Sequence, residues 1–230
     1  MSQSPHSLDD NHAVLMDRIY RHQRYIYDLT RKYYLFGRDR MIRELGLAPG
    51  QSLIEVGCGT ARNLIKIARA YPGAQLYGLD ASHEMLKTAE RAIARAGLTG
   101  QIVLAHGYAE DLSPALFGRD RPFDRITFSY ALSMIPDWKQ SLTRASGALA
   151  PNGSVHVVDF GDLKGLGVVG ERILRGWLAL FHVEPRDEIL KAVETGGVQK
   201  NRKSKALRIL FGRYAFVMRC SGQDIEGIVN

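Results

Sequence analysis

The stretch LIEVGCGTA, Leu53 to Ala61, decides the fold. An apolar run leads into two glycines that flank a cysteine, and an acid, Glu55, stands two residues before the first glycine. Read with the amphipathic segment behind it, the run is a strand, a tight turn and a helix. Gly57 and Gly59 permit that turn and let a ligand approach the backbone closely. The loop alone leaves open a redox cysteine, a phosphate loop, a dinucleotide fingerprint or another nucleoside site.

Downstream the pattern repeats. ARNLIKIARAYP reads as helix, AQLYGLD as strand, HEMLKTAERAIARAG as helix, QIVLAHG and FDRITFSY as strands, WKQSLTRASGALA as helix and GSVHVVDF as strand. Short apolar strands alternating with amphipathic helices predict an α/β, mostly parallel sheet with helices on both faces. After Gly161 the rhythm changes, and a mixed segment precedes ALRILFGRYAFVMR, which supplies two final strands. Upstream, Val14 to Leu45 is helical in pattern with a break at Gly37. The expected organisation is a flexible tail over 1–12, a helical arm over 13–46 and one main domain over 47–230.

The bulk properties narrow the function. A chain of 230 residues is long enough for one sizeable core. No apolar run approaches the roughly 20 residues of a spanning helix, and the polar start MSQSPHSLDDNH lacks the core of a secretory signal. A cytoplasmic protein is expected. Two cysteines, Cys58 and Cys220, give neither a disulfide framework nor a metal site. Cys58 has no CxxC partner and reads as a small loop residue. The net charge of +7 suits an anionic partner, either nucleic acid or an acidic membrane surface.

Asp80 ends the second strand, roughly 20 residues beyond the glycines, where an acid accepts hydrogen bonds from a ribose diol. A nucleoside-containing cofactor is therefore the natural ligand. A dinucleotide favours G-x-G-x-x-G, whereas this run is G-C-G-T-A-R, and Glu55 is poorly placed beside a pyrophosphate. It is better placed near a cationic amino group.

EVGCGTA with GLDAS…M resembles the first two motifs of the class I S-adenosylmethionine-dependent methyltransferases. HGYAEDL resembles their next motif, and FDRITFSYALSMI their fourth strand and its loop, so the resemblance runs from about Gly50 to Gly161. It implies a Rossmann-like, seven-stranded methyltransferase fold. It departs at Ala61, where that family usually has a third glycine; alanine is small, so closer packing rather than lost binding is expected. The resemblance implies that Glu55, Gly57 and Gly59 shape the methionine end of the pocket and that Asp80 holds the ribose. Ala81 and Met85 would border the adenine, with Ala109 and Glu110 on its other side and Ser129 near the methionine.

The acceptor is sought in the arm. Tyr20, Tyr27 and Tyr34 recur at heptad spacing among many arginines. Tyrosine rings surround a cationic sulfur or nitrogen with about 0.5–2 kcal/mol each, and arginine forks hold carboxylates or phosphates. An ordinary amphipathic helix with core-facing tyrosines fits the same pattern. YRHQRYIYDLTRKYYLFGRDRMI, SYALSMIPDW and LFHVEPRDE resemble the N-methyltransferase family of bacterial betaine-lipid synthesis. That resemblance implies trimethylation of the amine of diacylglycerylhomoserine at an anionic membrane surface, peripheral membrane association and no nucleic acid. It implies Tyr20, Tyr27, Tyr130 and Asp159 at the reacting centre, Tyr27, Tyr34 and Arg38 capping the cofactor, and His182 and Arg186 on the head group; the same residues also fit Tyr130 and His182 in the core, Asp159 capping a turn and Arg186 paired with Asp187 or Glu188. A homo-oligomer is compatible with all of this. Phosphatidylethanolamine, a quinone precursor, a small amine, RNA or a scaffold without turnover remain the alternatives.

Overall fold

The computed structural model describes residues 36–179, 186–195 and 206–230. Their elements are α1 (Arg38–Arg43), β1 (Ser52–Val56), α2 (Arg62–Ala70), β2 (Gln75–Asp80), α3 (His83–Arg95), β3 (Ile102–His106) and β4 (Phe123–Ser129). There follow α4 (Trp138–Gly147), β5 (Leu149–Phe160), α5 (Gly167–Ala179), α6 (Asp187–Thr195), β6 (Ala206–Leu210), β7 (Ala215–Cys220) and α7 (Gly222–Val229).

The strands form one seven-stranded sheet in the order β3-β2-β1-β4-β5-β7-β6. The first five run parallel, and β7 is antiparallel to both β5 and β6. Strand order reverses between β1 and β4, so their carboxyl ends open a crevice that the helices do not cover. β1 is buried along its whole length, because its successive side chains serve opposite cores. Leu53 joins Leu64 and Ile67 of α2 on one face, and Ile54 and Val56 join Phe128 and Leu142 on the other. A strand buried on both faces reads as a continuous apolar run.

Two details adjust the sequence reading. α4 ends at Gly147, short of Ala150, and β5 begins at Leu149 rather than Gly153. The pairing of β5 with β4 shifts register between Phe123 and Arg125, so the APNG segment extends β5 across an irregularity. The break expected at Gly37 is a left-handed residue with φ +87° immediately before α1. A Cβ there would lie 3.0 Å from both Leu210 Cδ1 and Val158 Cγ2, so α1 begins directly over β5 and β6. Among the described residues no helix is long and apolar enough to cross a membrane.

Candidate active site

A cleft of about 440 Å³ lies at the carboxyl ends of β1, β2 and β4. One wall is Gly57 and Gly59, then Asp80, Ala81 and Met85, then Ala109 and Glu110. The other is Tyr130, Ala131, the segment from Met134 to Asp137, and Gln140.

The glycine loop is shaped by two close approaches. Gly57 has φ +70°, and a Cβ on it would sit 2.8 Å from that of Ala131, so the loop packs directly against the segment after β4. The Gly57 and Cys58 amides donate to the Leu79 carbonyl at 2.8 and 3.1 Å, which fastens the loop to β2. Asp80 ties the next pair of loops: its Oδ2 accepts from the Gly59 amide at 2.7 Å and its Oδ1 from the Ser82 amide at 2.9 Å. A carboxylate oxygen can accept more than one hydrogen bond. Ala61, the departure from a third glycine, is fully buried at the start of α2 with φ +59°. A left-handed conformation costs an L-residue roughly 1–2 kcal/mol, and only a small side chain fits there.

Glu55 does not line the cleft. It is buried beneath the loop, where its Oε1 accepts from Asn63 Nδ2 at 2.7 Å, so its carboxylate braces the turn between β1 and α2. Cys58 is also buried, and a Cβ on Gly78 would meet its Sγ at 2.9 Å. Burial, reinforced by the negative Asp80 and Glu55, pushes its thiol well above the ordinary range, which leaves a packing role.

At the end of β4 the Ser129 hydroxyl oxygen is buried with no hydrogen-bond partner among the described residues. Tyr130 follows with φ +55°, an uncommon conformation for a bulky residue, and such strain clusters at functional sites. Its ring packs edge-on to Phe160 at 4.7 Å, and its hydroxyl donates to the Phe36 carbonyl. Burial holds its pKa well above the normal phenol value, so the side chain stays protonated. Tyr130 lines the cleft, as expected of a residue at the reacting centre, but its hydroxyl anchors the chain entering α1.

Asp159, expected among the catalytic groups, takes another position. It is buried behind the wall of the cleft, where Oδ2 accepts from the Ser133 amide at 3.1 Å and Oδ1 from the Phe160 amide at 2.8 Å. Burial raises its pKa to about 6 against the lowering effect of those amides. It braces the loop after β4. Arg38 is half-buried at the start of α1 beside Tyr130, outside the lining of the cleft. Arg186 donates to the Pro136 carbonyl at 3.1 Å and so touches the rim through the loop it supports. Tyr20, Tyr27, Tyr34 and His182 lie outside the described residues.

Sequence reasoning missed the apolar side of the cleft, Met134, Ile135 and Pro136. The signal was present in SMIPDW, an apolar run after a strand end, closed by an Asp137 that caps α4 by accepting from the Gln140 amide at 3.0 Å. It also missed His106, whose Nε2 bonds the Ala81 carbonyl at 3.0 Å and whose ring stacks on His83 at 3.7 Å.

These residues fit an adenosyl cofactor on three counts. Gly57 keeps the loop free of a side chain, Asp80 presents a carboxylate at the end of β2, and the apolar Met85 and Ala109 line the cleft. Among the described residues no cluster of three His, Cys, Asp or Glu could hold a metal ion.

Comparison with known proteins agrees with that geometry. Residues 53–153 match the family model described as "Methyltransferase domain". A curated relative, the demethylmenaquinone methyltransferase of Geobacillus kaustophilus (strain HTA426), is 33% identical over 117 residues, covering 50% of this chain and 48% of the relative. The chain thus spans about half the length of the curated relatives it matches. Among solved structures, a SAM-dependent methyltransferase from Aquifex aeolicus superposes with TM-score 0.55 at 16% identity, covering 82% of this chain and 91% of the other. Phosphoethanolamine N-methyltransferase 2 of Haemonchus contortus, in complex with S-adenosyl-L-methionine, gives TM-score 0.53 at 20% identity, covering 67% and 34%. The protein has the Rossmann-like fold seen in solved S-adenosylmethionine-dependent methyltransferases, and residues 53–153 match a methyltransferase domain.

Proposed function

We propose that this protein is an S-adenosylmethionine-dependent N-methyltransferase that acts on a lipid-borne amine at the face of a membrane. The observation that carries the reading is the cradle of Gly57, Gly59 and Asp80 at the switch between β1 and β4. The acceptor favoured by the sequence of the arm is diacylglycerylhomoserine, converted in three steps to diacylglyceryl-N,N,N-trimethylhomoserine. When bound, the cofactor supplies a methyl group on a cationic sulfur. Asp80 holds the ribose, Met85 and Ala109 enclose the adenine, and Met134, Ile135 and Pro136 keep water from the reacting side. Alignment of donor and acceptor in such a site contributes about 7–11 kcal/mol to lowering a barrier.

The amine must be neutral to attack. Tyr130 stays a phenol bonded to Phe36, and Asp159 is committed to loop amides, so neither is free to take the proton. Solvent removes it, and kcat/KM rises with pH toward the amine pKa of about 10.

A second reading, transfer to a quinone ring, is favoured by the names of the curated relatives. Their match to this chain covers about half its length, and the arm and the chain after β5 lie largely beyond the methyltransferase-domain match. The deciding experiment incubates the protein and S-adenosylmethionine with bilayers that contain diacylglycerylhomoserine, phosphatidylethanolamine and a demethylated quinone, followed by mass spectrometry. Stepwise gain of three methyls on the homoserine lipid alone supports the first reading. A single methyl on the quinone replaces it with the second.

A further inference from the structure

A surface helix normally hides its apolar stripe and shows a polar face. α5 is apolar on both sides. Leu178 on its inner side is fully buried, and Arg175 turns inward to Glu171 and Asp187. Its outer face carries Val168, Val169 and Ile173, which are 84, 73 and 69% exposed. The face continues onto the β6–β7 hairpin. A Cβ on Gly212 at its tip would meet Leu166 Cδ2 at 2.9 Å, and Phe211 beside it is 61% exposed. The Phe211 ring lies 4.8 Å from that of Phe36, whose carbonyl holds the Tyr130 hydroxyl at the wall of the cleft. An apolar strip therefore runs from the rim of the candidate site to the outer face of α5.

Exposed Lys164 and Arg172 stand within this strip, on a chain of net charge +7. Aliphatic and aromatic tips interleaved with cations match the boundary of an anionic bilayer, where the apolar groups enter the acyl region and the cations meet head-group phosphates. A second copy of a chain so charged would bring like charges together. We infer that the outer face of α5 and the tip of the β6–β7 hairpin form the surface by which the protein docks on an anionic membrane, with the cleft facing its lipid. The inference rests on the lipid-acceptor reading for its purpose, and on α5 and the hairpin for its geometry.

The test is vesicle flotation of the full chain without cofactor or acceptor, using phosphatidylcholine alone and phosphatidylcholine mixed with phosphatidylglycerol. The wild-type protein floats with the anionic vesicles, less so in high salt. Val168→Ser, Val169→Ser and Ile173→Ser combined lower the bound fraction about tenfold, and Arg172→Glu lowers it on its own. All four sites are exposed, so thermal melting and cofactor binding stay as in the wild type. Flotation of the triple variant at the wild-type level overturns the inference, as does equal flotation with both vesicle types. A concentration-dependent dimer in sedimentation that the triple variant abolishes also overturns it, by giving the face to a second copy. Docking without methylation of any lipid would retain this surface and remove the acceptor reading; methylation of micellar lipid by a protein whose flotation ignores the triple variant would do the reverse.

Discussion

Single side chains at the cleft separate holding the cofactor from moving a proton. Asp80 carries one charge that two loop amides share, at 2.7 and 2.9 Å, and that a ribose diol can share as well. Asp80→Asn keeps the shape and removes the charge, and hydrogen bonds to charged groups contribute about 1.5–3 kcal/mol each. Calorimetric titration with S-adenosylmethionine or its demethylated product should show affinity falling by about 10- to 100-fold. Tyr130→Phe removes one hydrogen bond to the Phe36 carbonyl, worth about 1 kcal/mol, or a Tm lower by about 2–4 °C in a chain of this size. kcat should fall as the entry to α1 loosens, while the pH profile keeps its form. Loss of the rise with pH would make Tyr130 a proton acceptor instead. Gly57 and Asp80 were legible because turn geometry and ribose binding are local in sequence. For Asp159 the sequence left orienting the amine and capping a turn both open, because ending a strand at the functional rim does not reveal that two backbone amides claim its carboxylate.

At the scale of an element, β5 holds two buried titratable groups that shift in opposite senses. His156 is held at about 3 by burial and by the neighbouring positive charges of Arg219 and Arg125, with its Nε2 2.9 Å from the Ser154 hydroxyl. A base with a depressed folded pKa stabilises the fold above its unfolded value of 6.5, and that stability is lost as pH falls toward 3. Asp159 is raised to about 6, so its contribution is present below its unfolded value of 3.8 and lost as pH rises through 6. The two oppose each other between these limits. Urea unfolding across pH 4 to 6 should therefore find His156→Gln less acid-sensitive than the wild type and Asp159→Asn more so (both pH bounds are approximate, about a unit). Identical slopes in all three proteins would show that neither shift contributes. The same scale exposes what the sequence reading missed after Gly161. α7 begins with Ser221 and Asp224 exchanging bonds between side chains and amides, a capping box written in SGQD. VVGERILRGWLALF, by contrast, carries apolar residues and one tryptophan at near-helical spacing, and α5 forms there.

Across the whole molecule, charged side chains fasten the chain after β5 to the sheet. Arg213 has φ +64° beside Gly212 in the turn of the hairpin and donates through Nε and Nη2 to both oxygens of Asp162 at 2.7 and 2.9 Å, and also to Glu194 of α6. The Asp162 carboxylate is nearly buried and its pKa is lowered by that guanidinium. Arg213→Ala removes its two-point partner and leaves it the Lys164 ammonium at 3.7 Å; breaking a buried pair costs about 3–5 kcal/mol, reduced here to about 2 kcal/mol because Arg213 is itself partly exposed. Urea titration should show that loss, and Arg213→Lys should recover only part of it, since an ammonium cannot match the two-point fork. An unchanged midpoint in Arg213→Ala would mean that packing alone holds the hairpin.

By itself the sequence determined the parallel sheet, the glycine turn and the acid of the next strand, because hydrophobic period, turn chemistry and strand-end position act over a few residues. It also carried the charge and the two final strands. Only the tertiary structure decided which carboxylates face the cleft and which brace its loops, that Tyr130 anchors Phe36, and that α5 and the hairpin join into one apolar strip. Those outcomes depend on contacts between segments far apart in the chain. Burial and amide partners, not residue type, then set whether a group holds a ligand or the fold.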